Sequence, residues 1–155
     1  MPPFEVEDIN ALKKLEGQEL PPTEWFVLSQ VRIDKFADAT EDRQWIHVDE
    51  DRASRESTYG GTIAHGFLTL SLISHFSAQS IRVKRGVGMR INYGLNRLRF
   101  PSAVRSGSAI RARFALASIR ETPQFVDIVF SVTVECQGNE KPCCIAEWIV
   151  RYYRA

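Results

Sequence analysis

The sequence has little cysteine and almost no net charge, and each shortage argues against a class of protein. Its three cysteines are Cys136, Cys143 and Cys144. The count is odd and neighbouring cysteines rarely bridge each other, so we expect free thiols in a reducing, cytoplasmic setting rather than a disulfide framework or a zinc site. A formal net charge of +1 gives no electrostatic footprint for nucleic acid or for an anionic membrane.

Other recurrent features are also missing. The chain has no internal repeat, no low-complexity linker, no glycine-rich nucleotide loop and no evenly spaced set of metal ligands. Its acidic start lacks the basic-then-apolar form of a signal peptide. With 155 residues, 44% of them hydrophobic, the chain has the size and composition of one globular domain, which we assign to residues 1–155.

Charged residues are absent between Glu56 and Arg82. This run is long enough to span a bilayer, but its many serine, threonine and histidine residues argue against a membrane span. From Ala64 to about Ser80 the apolar residues recur at both three- and four-residue spacings. The pattern predicts a long helix that packs against a sheet and is buried on most sides.

The first half of the chain otherwise predicts short elements. Residues 5–16 have the apolar spacing of a helix, and residues 25–28 read as a strand. A short helical face follows at 33–37, then a loop or tight turn from Thr40 to His47. Asp49 is predicted to cap a short helix that runs through Ala53.

The second half is predicted to be β-rich. Valine, isoleucine and aromatic residues concentrate in five segments, the fourth of which alternates with polar residues in period two. Gln137-Gly138-Asn139 is a hairpin signal. Helical elements first, one long central helix and then antiparallel strands predict an α+β fold with a sheet packed on a helix. The five segments are 87–95, 97–100, 108–119, 124–136 and 143–153.

Two segments suggest acid/base chemistry. Asp42 and His47 are five positions apart, and Gly60-Gly61-Thr62-Ile63-Ala64-His65-Gly66 leads into the central helix. A carboxylate and an imidazole beside the backbone N–H groups of a helix N-terminus could add water to, or remove it from, a thioester. An aspartate that caps a turn and a histidine that packs in the core are the structural alternative.

Three segments together resemble a known family. Phe36-Ala37-Asp38-Ala39-Thr40-Glu41-Asp42-Arg43-Gln44-Trp45-Ile46-His47, Ala64-His65-Gly66 and Phe100-Pro101-Ser102-Ala103-Val104-Arg105-Ser106-Gly107 are similar to motifs of the MaoC-like, R-specific enoyl-CoA hydratases, in the nodulation protein N-like branch. The resemblance implies a hot-dog fold, a curved antiparallel sheet wrapped around a long central helix. It also implies a homodimer, an acyl-CoA or acyl-carrier-protein thioester as substrate, and no cofactor beyond coenzyme A as part of the substrate.

The residue roles follow from the motif and the chemistry together. We assign Asp42 as the base that activates water and His47 as the partner that shares this water and manages the proton at C2, although either could be base or acid. Gly66 is the candidate oxyanion donor, or only a residue for close packing. Ser71 matches a serine near the catalytic pair of related hydratases, or else bonds back to its own helix.

The match to the typical motif Gly-Asp-x-Asn-Pro-Ile-His is incomplete. Glu41, Gln44 and Trp45 replace its glycine, asparagine and proline, and Trp45 could reshape the acyl pocket. We interpret His65 as a structural residue of the turn.

The sequence leaves four alternatives open. Arg82, Lys84 and Arg85 form either a phosphate or carrier-protein contact or a solvated face. A hydroxyacyl-carrier-protein dehydratase, a hot-dog acyl-CoA thioesterase and a non-catalytic acyl-binding module are the alternative functions. The thioesterase is disfavoured because its carboxylate usually lies on or beside the central helix, which here has no acidic residue.

Overall fold

The computed structural model describes all 155 residues and contains six helices and seven strands. In chain order the elements are β1 (Phe4–Val6), α1 (Ile9–Lys13), β2 (Phe26–Val27), α2 (Gln30–Thr40), α3 (Trp45–Val48), α4 (Glu50–Glu56), α5 (Gly66–Ser71), α6 (Ile73–Ser80), β3 (Ile81–Val83), β4 (Val87–Arg99), β5 (Ala109–Glu121), β6 (Phe125–Cys136) and β7 (Cys144–Arg154).

The main sheet is antiparallel and has five strands in the order β2-β5-β6-β7-β4. Alternate residues of β5, β6 and β7 point to the helix side and are buried, as the period-two pattern predicts. Three aromatic rings contact one another edge-on or at a tilt in the middle of this inner face: those of Phe114, Phe130 and Trp148. The predicted α+β architecture of a sheet wrapped around a helix is confirmed.

The central helix is present from Gly66 to Ser80 with one irregularity. At Leu72 the backbone N–H bonds to the carbonyls of both Leu68 and Leu70, so the helix is divided into α5 and α6. Phe76 is fully buried against the sheet. The expectation that the helix is buried on most sides is wrong, because the sheet of one chain covers only one side and leaves a stripe that begins at Phe67 exposed.

The predicted helix at residues 5–16 is wrong in its first part. Phe4–Val6 forms strand β1, which pairs in parallel with β3, and Val6 lies opposite Val83. Only Ile9–Lys13 is helical, and the Asp8 side chain caps it by accepting from the Ala11 N–H at 2.9 Å. A strand of three residues is too short for its pattern to show, and it forms because β3 offers a distant partner.

The loop predicted between Thr40 and His47 is also partly wrong. Helix α2 extends to Thr40, Glu41 reverses the chain with φ +62°, and His47 lies on the one-turn helix α3. A single turn carries no periodic signal. The predicted cap is confirmed: the Asp49 side chain accepts from the Arg52 N–H at 2.9 Å at the start of α4.

The strands of the second half lie within two residues of their predicted bounds, with one correction. Residues 87–95 and 97–100 belong to one strand, β4, whose pairing with β7 shifts register three times. The hairpin after β6 is confirmed, and all three cysteines are free and buried. None of the helices combines the length and the apolar character that a membrane span requires.

Candidate active site

The turn before the central helix and helix α3 are joined through the backbone. The Ile63 N–H donates to the Ile46 carbonyl at 3.0 Å, and the Ala64 N–H donates to the Val104 carbonyl at 2.8 Å. These bonds fix the segment that carries His65 and Gly66 against the helix that carries His47. The segments that carry His47 and His65, 18 residues apart in sequence, are therefore held side by side.

The tautomer of His47 is set by its surroundings. Its Nδ1 lies 2.7 Å from the Ile63 carbonyl oxygen, which can only accept, so Nδ1 carries the proton and donates. Nε2 is consequently unprotonated in the neutral ring and is the nitrogen left to accept a proton. The ring is buried, yet His47 lines a cavity.

His65 packs directly on this ring. The centroids of His47 and His65 are 3.8 Å apart with an interplanar angle of 24°, and Phe36 covers His65 at 4.9 Å between centroids. The Nε2 of His65 lies 2.8 Å from the Asp42 backbone carbonyl, so Nε2–H donates there. Its Nδ1 is buried and has no hydrogen-bond partner. His65 thus connects both members of the predicted pair.

Burial lowers the pKa of His47, because the imidazolium would lose its hydration. The hydrogen bond to Ile63 opposes this, His65 adds to the lowering, and Asp42 raises the pKa again. The net direction is downward from 6.5. At neutral pH the ring is therefore in the form that accepts a proton at Nε2.

Asp42 is placed beside the histidines, at the surface. Its side chain is 53% exposed, and Oδ2 lies 4.0 Å from His65 Nε2. Each of Asp42, His47 and His65 has a possible ligand atom, and these atoms lie within 4.8 Å of one another. Two imidazoles and one carboxylate could also hold a divalent transition metal. The sequence showed no such cluster, because its members are far apart along the chain.

A cavity of about 780 Å³ opens from His47. Ile63, Ala64 and Gly66 contribute to its wall, and the segment Phe100–Arg105 and the hairpin after β6 enclose it. Gly66 opens helix α5, and its backbone N–H has no acceptor in the protein. A Cβ at Gly66 would lie 3.0 Å from the Phe100 ring. Both predicted properties of Gly66, a free N–H and close packing, are present together.

Ser71 and Trp45 lie outside this cavity. The Ser71 hydroxyl donates to the Phe67 carbonyl at 2.7 Å, within its own helix, and Ser71 lines a separate groove against β4. The Arg52 guanidinium lies 4.4 Å from the centroid of the Trp45 ring. Within one chain, His47 and Gly66 line the cavity, whereas Asp42 lies beside the two histidines but outside the lining.

Residues that no sequence motif identifies also support the site. The Gln30 amide donates to the His47 carbonyl at 2.7 Å and accepts from the Thr62 hydroxyl at 2.6 Å. Gln30 therefore links α2, α3 and the turn before α5. No local pattern identifies it, whereas the motif Ala64-His65-Gly66 already contained the signal for His65.

Comparisons with known proteins identify the family of the chain. A family model described as "MaoC like domain" matches residues 12–137. The chain is 44% identical over 147 residues to 3-hydroxyacyl-thioester dehydratase Z of Mycobacterium tuberculosis, covering 94% of this chain and 96% of the relative. It is 46% identical over 134 residues to Nodulation protein N of Rhizobium leguminosarum bv. viciae, covering 86% and 83%.

A solved structure supports the fold. The (R)-hydratase from A. caviae superposes with a TM-score of 0.68 at 23% identity, covering 87% of this chain and 94% of that chain. The predicted hot-dog fold is confirmed. The predicted enzyme class, a hydro-lyase, agrees with the family model and with the dehydratase relative. The chain belongs to the MaoC-like domain family.

Proposed function

We propose that this enzyme catalyses the R-specific hydration of trans-2-enoyl thioesters to (3R)-3-hydroxyacyl thioesters, or the reverse dehydration. The observation that carries the proposal is the His47 tautomer. Its Nδ1 donates to Ile63 and leaves Nε2 unprotonated on a ring that lines the cavity, with the Asp42 carboxylate nearby. The dehydratase name of the mycobacterial relative and the (R)-hydratase fold neighbour support the same reaction class.

In the hydration direction, one water adds across the C2–C3 double bond. The Asp42 carboxylate and His47 Nε2 share this water and remove one proton as its oxygen attacks C3. The proton then passes to C2, so the pair returns to its starting state. A positioned acid/base group of this kind contributes roughly 10²–10⁴ in rate, and its titration belongs to the pair.

Charge on the thioester oxygen is the second requirement. As C3 is attacked, negative charge builds on the carbonyl oxygen, and the free N–H of Gly66 at the cavity wall is the donor we assign to it. The missing side chain of Gly66 lets the thioester approach this N–H. No metal or redox group is needed for these steps, and coenzyme A enters only as part of the substrate.

We also propose that the working form is a homodimer built on β4. This strand is at the edge of the sheet and pairs only with β7, yet it exposes Met89, Ile91, Tyr93 and Leu95. A long apolar edge strand is an association site unless something covers it. The exposed stripe of the central helix lies beside it, where the Ser74 hydroxyl is 3.4 Å from the Asn92 side chain. A second copy of the chain would cover both surfaces.

A cytoplasmic location belongs to the same proposal. All three cysteines are free and buried, and burial raises the pKa of the Cys143 thiol to about 12 and that of Cys144 to about 11. Such thiols are unreactive and need no disulfide partner.

The test follows the enoyl-thioester absorbance of crotonyl-CoA and of a longer enoyl-CoA, and then determines the configuration of the product at C3. Wild type should form the R product, and Asp42→Asn should lower turnover by roughly 10²–10⁴ while the fold is retained. Release of free thiol without hydration would instead indicate a thioesterase. Tight binding without turnover on any coenzyme A or carrier-protein thioester would indicate a binding module.

A further inference from the structure

Every cation of the basic cluster that follows the central helix is ion-paired within the chain. Arg82 and Lys84 lie 3.7 and 3.3 Å from the Glu5 carboxylate, and Arg85 lies 3.1 Å from that of Glu7. Strand β1 carries both glutamates and pairs directly with β3. The alternative of a solvated face is therefore the better description, and this cluster is a poor receptor for phosphate.

Two other cations line the active-site cavity without a carboxylate partner. Arg105 and Lys141 are both exposed and both contribute to the lining that includes His47. Neither forms an ion pair. Glu140 lies in the same lining and is also without an ion-pair partner. The three side chains together give this part of the cavity a net positive charge of one.

The guanidinium of Arg105 is held in place by the two glycines before the turn. Its Nη2 donates to the Gly60 carbonyl at 3.0 Å, and a Cβ at Gly61 would lie 3.1 Å from the same atom. The missing side chain of Gly61 thus makes the room that the guanidinium occupies. Because a guanidinium has five N–H donors, most of them remain available to a ligand in the cavity.

The backbone at Lys141 is bonded to the connection that carries Arg105. The Ser102 hydroxyl lies 3.2 Å from the Lys141 carbonyl and 3.0 Å from that of Pro142. Ser102 belongs to the same connection as Arg105, between β4 and β5. These contacts fix the hairpin after β6 against that connection, so the two cations belong to walls that are held together.

We propose that Arg105 and Lys141 recognise the phosphate of a phosphopantetheine-bearing thioester as its acyl end reaches His47. The inference rests on the proposed function, because it deepens the substrate class of the same site. Arginine and lysine are the usual partners of phosphate, and the guanidinium offers paired N–H groups. The acyl group and thioester occupy the buried part of the cavity, and the phosphate lies at its exposed part.

The experiment compares three crotonyl thioesters: those of pantetheine, of 4′-phosphopantetheine and of coenzyme A. Arg105→Met and Lys141→Met should each lower kcat/KM roughly three- to tenfold for phosphate-bearing substrates. The pantetheine thioester has no phosphate and should be turned over as by wild type. Damage to the Gly60–Gly61 turn would instead lower turnover of all three, so the ratio between substrates isolates phosphate recognition.

Two further variants sharpen the comparison. Arg82→Ala removes an exposed arginine that is already paired with Glu5 and should leave the ratio unchanged. Glu140→Gln removes the negative charge from the cavity lining and should improve kcat/KM for phosphate-bearing substrates only. The wild-type preference should also weaken as ionic strength rises.

The substrates also distinguish the source of the phosphate. Equal losses on the phosphopantetheine and coenzyme A thioesters would assign the cations to the 4′-phosphate, which coenzyme A shares with acyl carrier protein. A loss on coenzyme A alone would assign them to the phosphates of its nucleotide. Either result supports phosphate recognition.

The proposal is overturned if both Met variants keep the wild-type ratio between substrates, or if Arg82→Ala changes it instead. Absence of turnover on every thioester would count against the proposed function alone. In that case, calorimetric affinities of coenzyme A and pantetheine for the same variants still decide the role of Arg105 and Lys141.

Discussion

The rings of His47 and His65 stack with their centroids 3.8 Å apart. Each ring uses one nitrogen to donate to a backbone carbonyl, His47 to Ile63 and His65 to Asp42. The closeness of His65 adds to the lowering of the His47 pKa, so the stack favours the neutral form of His47. We therefore propose His65 as a positioning residue, which orients His47 through the stacked ring and holds the backbone at Asp42 through its hydrogen bond.

This relationship predicts a pH effect. His65 contributes to lowering the pKa of His47, so His65→Phe, which keeps a ring for stacking, should raise that pKa. In the proposed mechanism neutral His47 accepts the proton, so kcat/KM should fall as pH drops through its pKa. The acid limb of the profile of His65→Phe should lie at higher pH than that of wild type.

A matched variant separates positioning from packing. The amide of His65→Gln can still donate to the Asp42 carbonyl, so this variant should keep more of the wild-type kcat than His65→Phe. Profiles of kcat/KM against pH for the three proteins provide the measurement. An acid limb that does not move in His65→Phe would show that His65 only fills space.

Glu41 predicts a gain in stability. It is the one non-glycine residue with positive φ, at +62°, and it stands where the typical hydratase motif has glycine. A left-handed conformation costs a residue with a Cβ about 1–2 kcal/mol of stability. Glycine avoids this cost, but part of the gain is lost because glycine has more conformational entropy in the unfolded chain. Glu41→Gly should raise the free energy of unfolding by about 0.5–1 kcal/mol.

Denaturant titration of wild type, Glu41→Gly and Glu41→Ala tests the origin of this gain. Both variants lose the ion pair with Arg43, which lies at the surface, but only glycine loses the Cβ. Alanine should therefore give no gain. Equal stabilisation by the two substitutions would locate the effect in the side chain rather than in the backbone.

The sequence predicted the long helices and strands of the fold and those site residues that lie within a contiguous motif. Strands β5, β6 and β7 and the central helix have long patterns, and each is found near its predicted bounds. Strand β1 and helix α3 are too short to show a period and depend on partners far along the chain. His65 was undervalued because its role lies in contacts with Phe36, His47 and Asp42 that no local pattern encodes.

Other parts of the site could not be predicted for related reasons. The predicted role of Ser71 rests on its match to a serine of related hydratases, but its hydroxyl donates to the Phe67 carbonyl of its own helix, which is the structural alternative. The sequence indicates a phosphate contact only at the contiguous basic cluster at 82–85, whose ion-pair partners are the glutamates at β1. Arg105 and Lys141 are 36 positions apart, and the contacts of Ser102 link the two segments that carry them.

Gly66 predicts a compensating pair of substitutions. A methyl group at Gly66 would lie 3.0 Å from the Phe100 ring, and overpacking of this kind costs about 1–3 kcal/mol. Gly66→Ala should therefore lower both the free energy of unfolding and kcat, because Phe100 and the helix start must move apart. Gly66→Ala combined with Phe100→Leu should recover stability.

The recovery should be partial for activity, since the methyl group still crowds the approach of a thioester to the Gly66 N–H. Thermal unfolding and kcat of the two single variants and of the double variant measure this. If Phe100→Leu fails to restore stability to Gly66→Ala, close packing against Phe100 is not the cause of the stability that Gly66→Ala loses.

The exposed edge strand predicts the assembly state. A charge at Ile91 or Tyr93 should convert a homodimer to a monomer, because each would be desolvated against the second copy. Val31→Asp is a matched control, since Val31 is 63% exposed on α2, away from β4. Light scattering after size-exclusion chromatography should give the mass of a dimer for wild type and Val31→Asp. A monomeric wild type, or an unchanged dimer in both β4 variants, would contradict this interface.

The central claim is that Asp42 and His47 act together on one water. Its most direct test is a double-mutant cycle in kcat/KM for a trans-2-enoyl thioester, with Asp42→Asn, His47→Gln and the double variant. Each single variant should lose roughly 10²–10⁴, and the double variant should be little worse than the poorer single one, because either change disables the shared water. Losses that multiply in the double variant, or a single variant that retains wild-type turnover, would contradict a joint role.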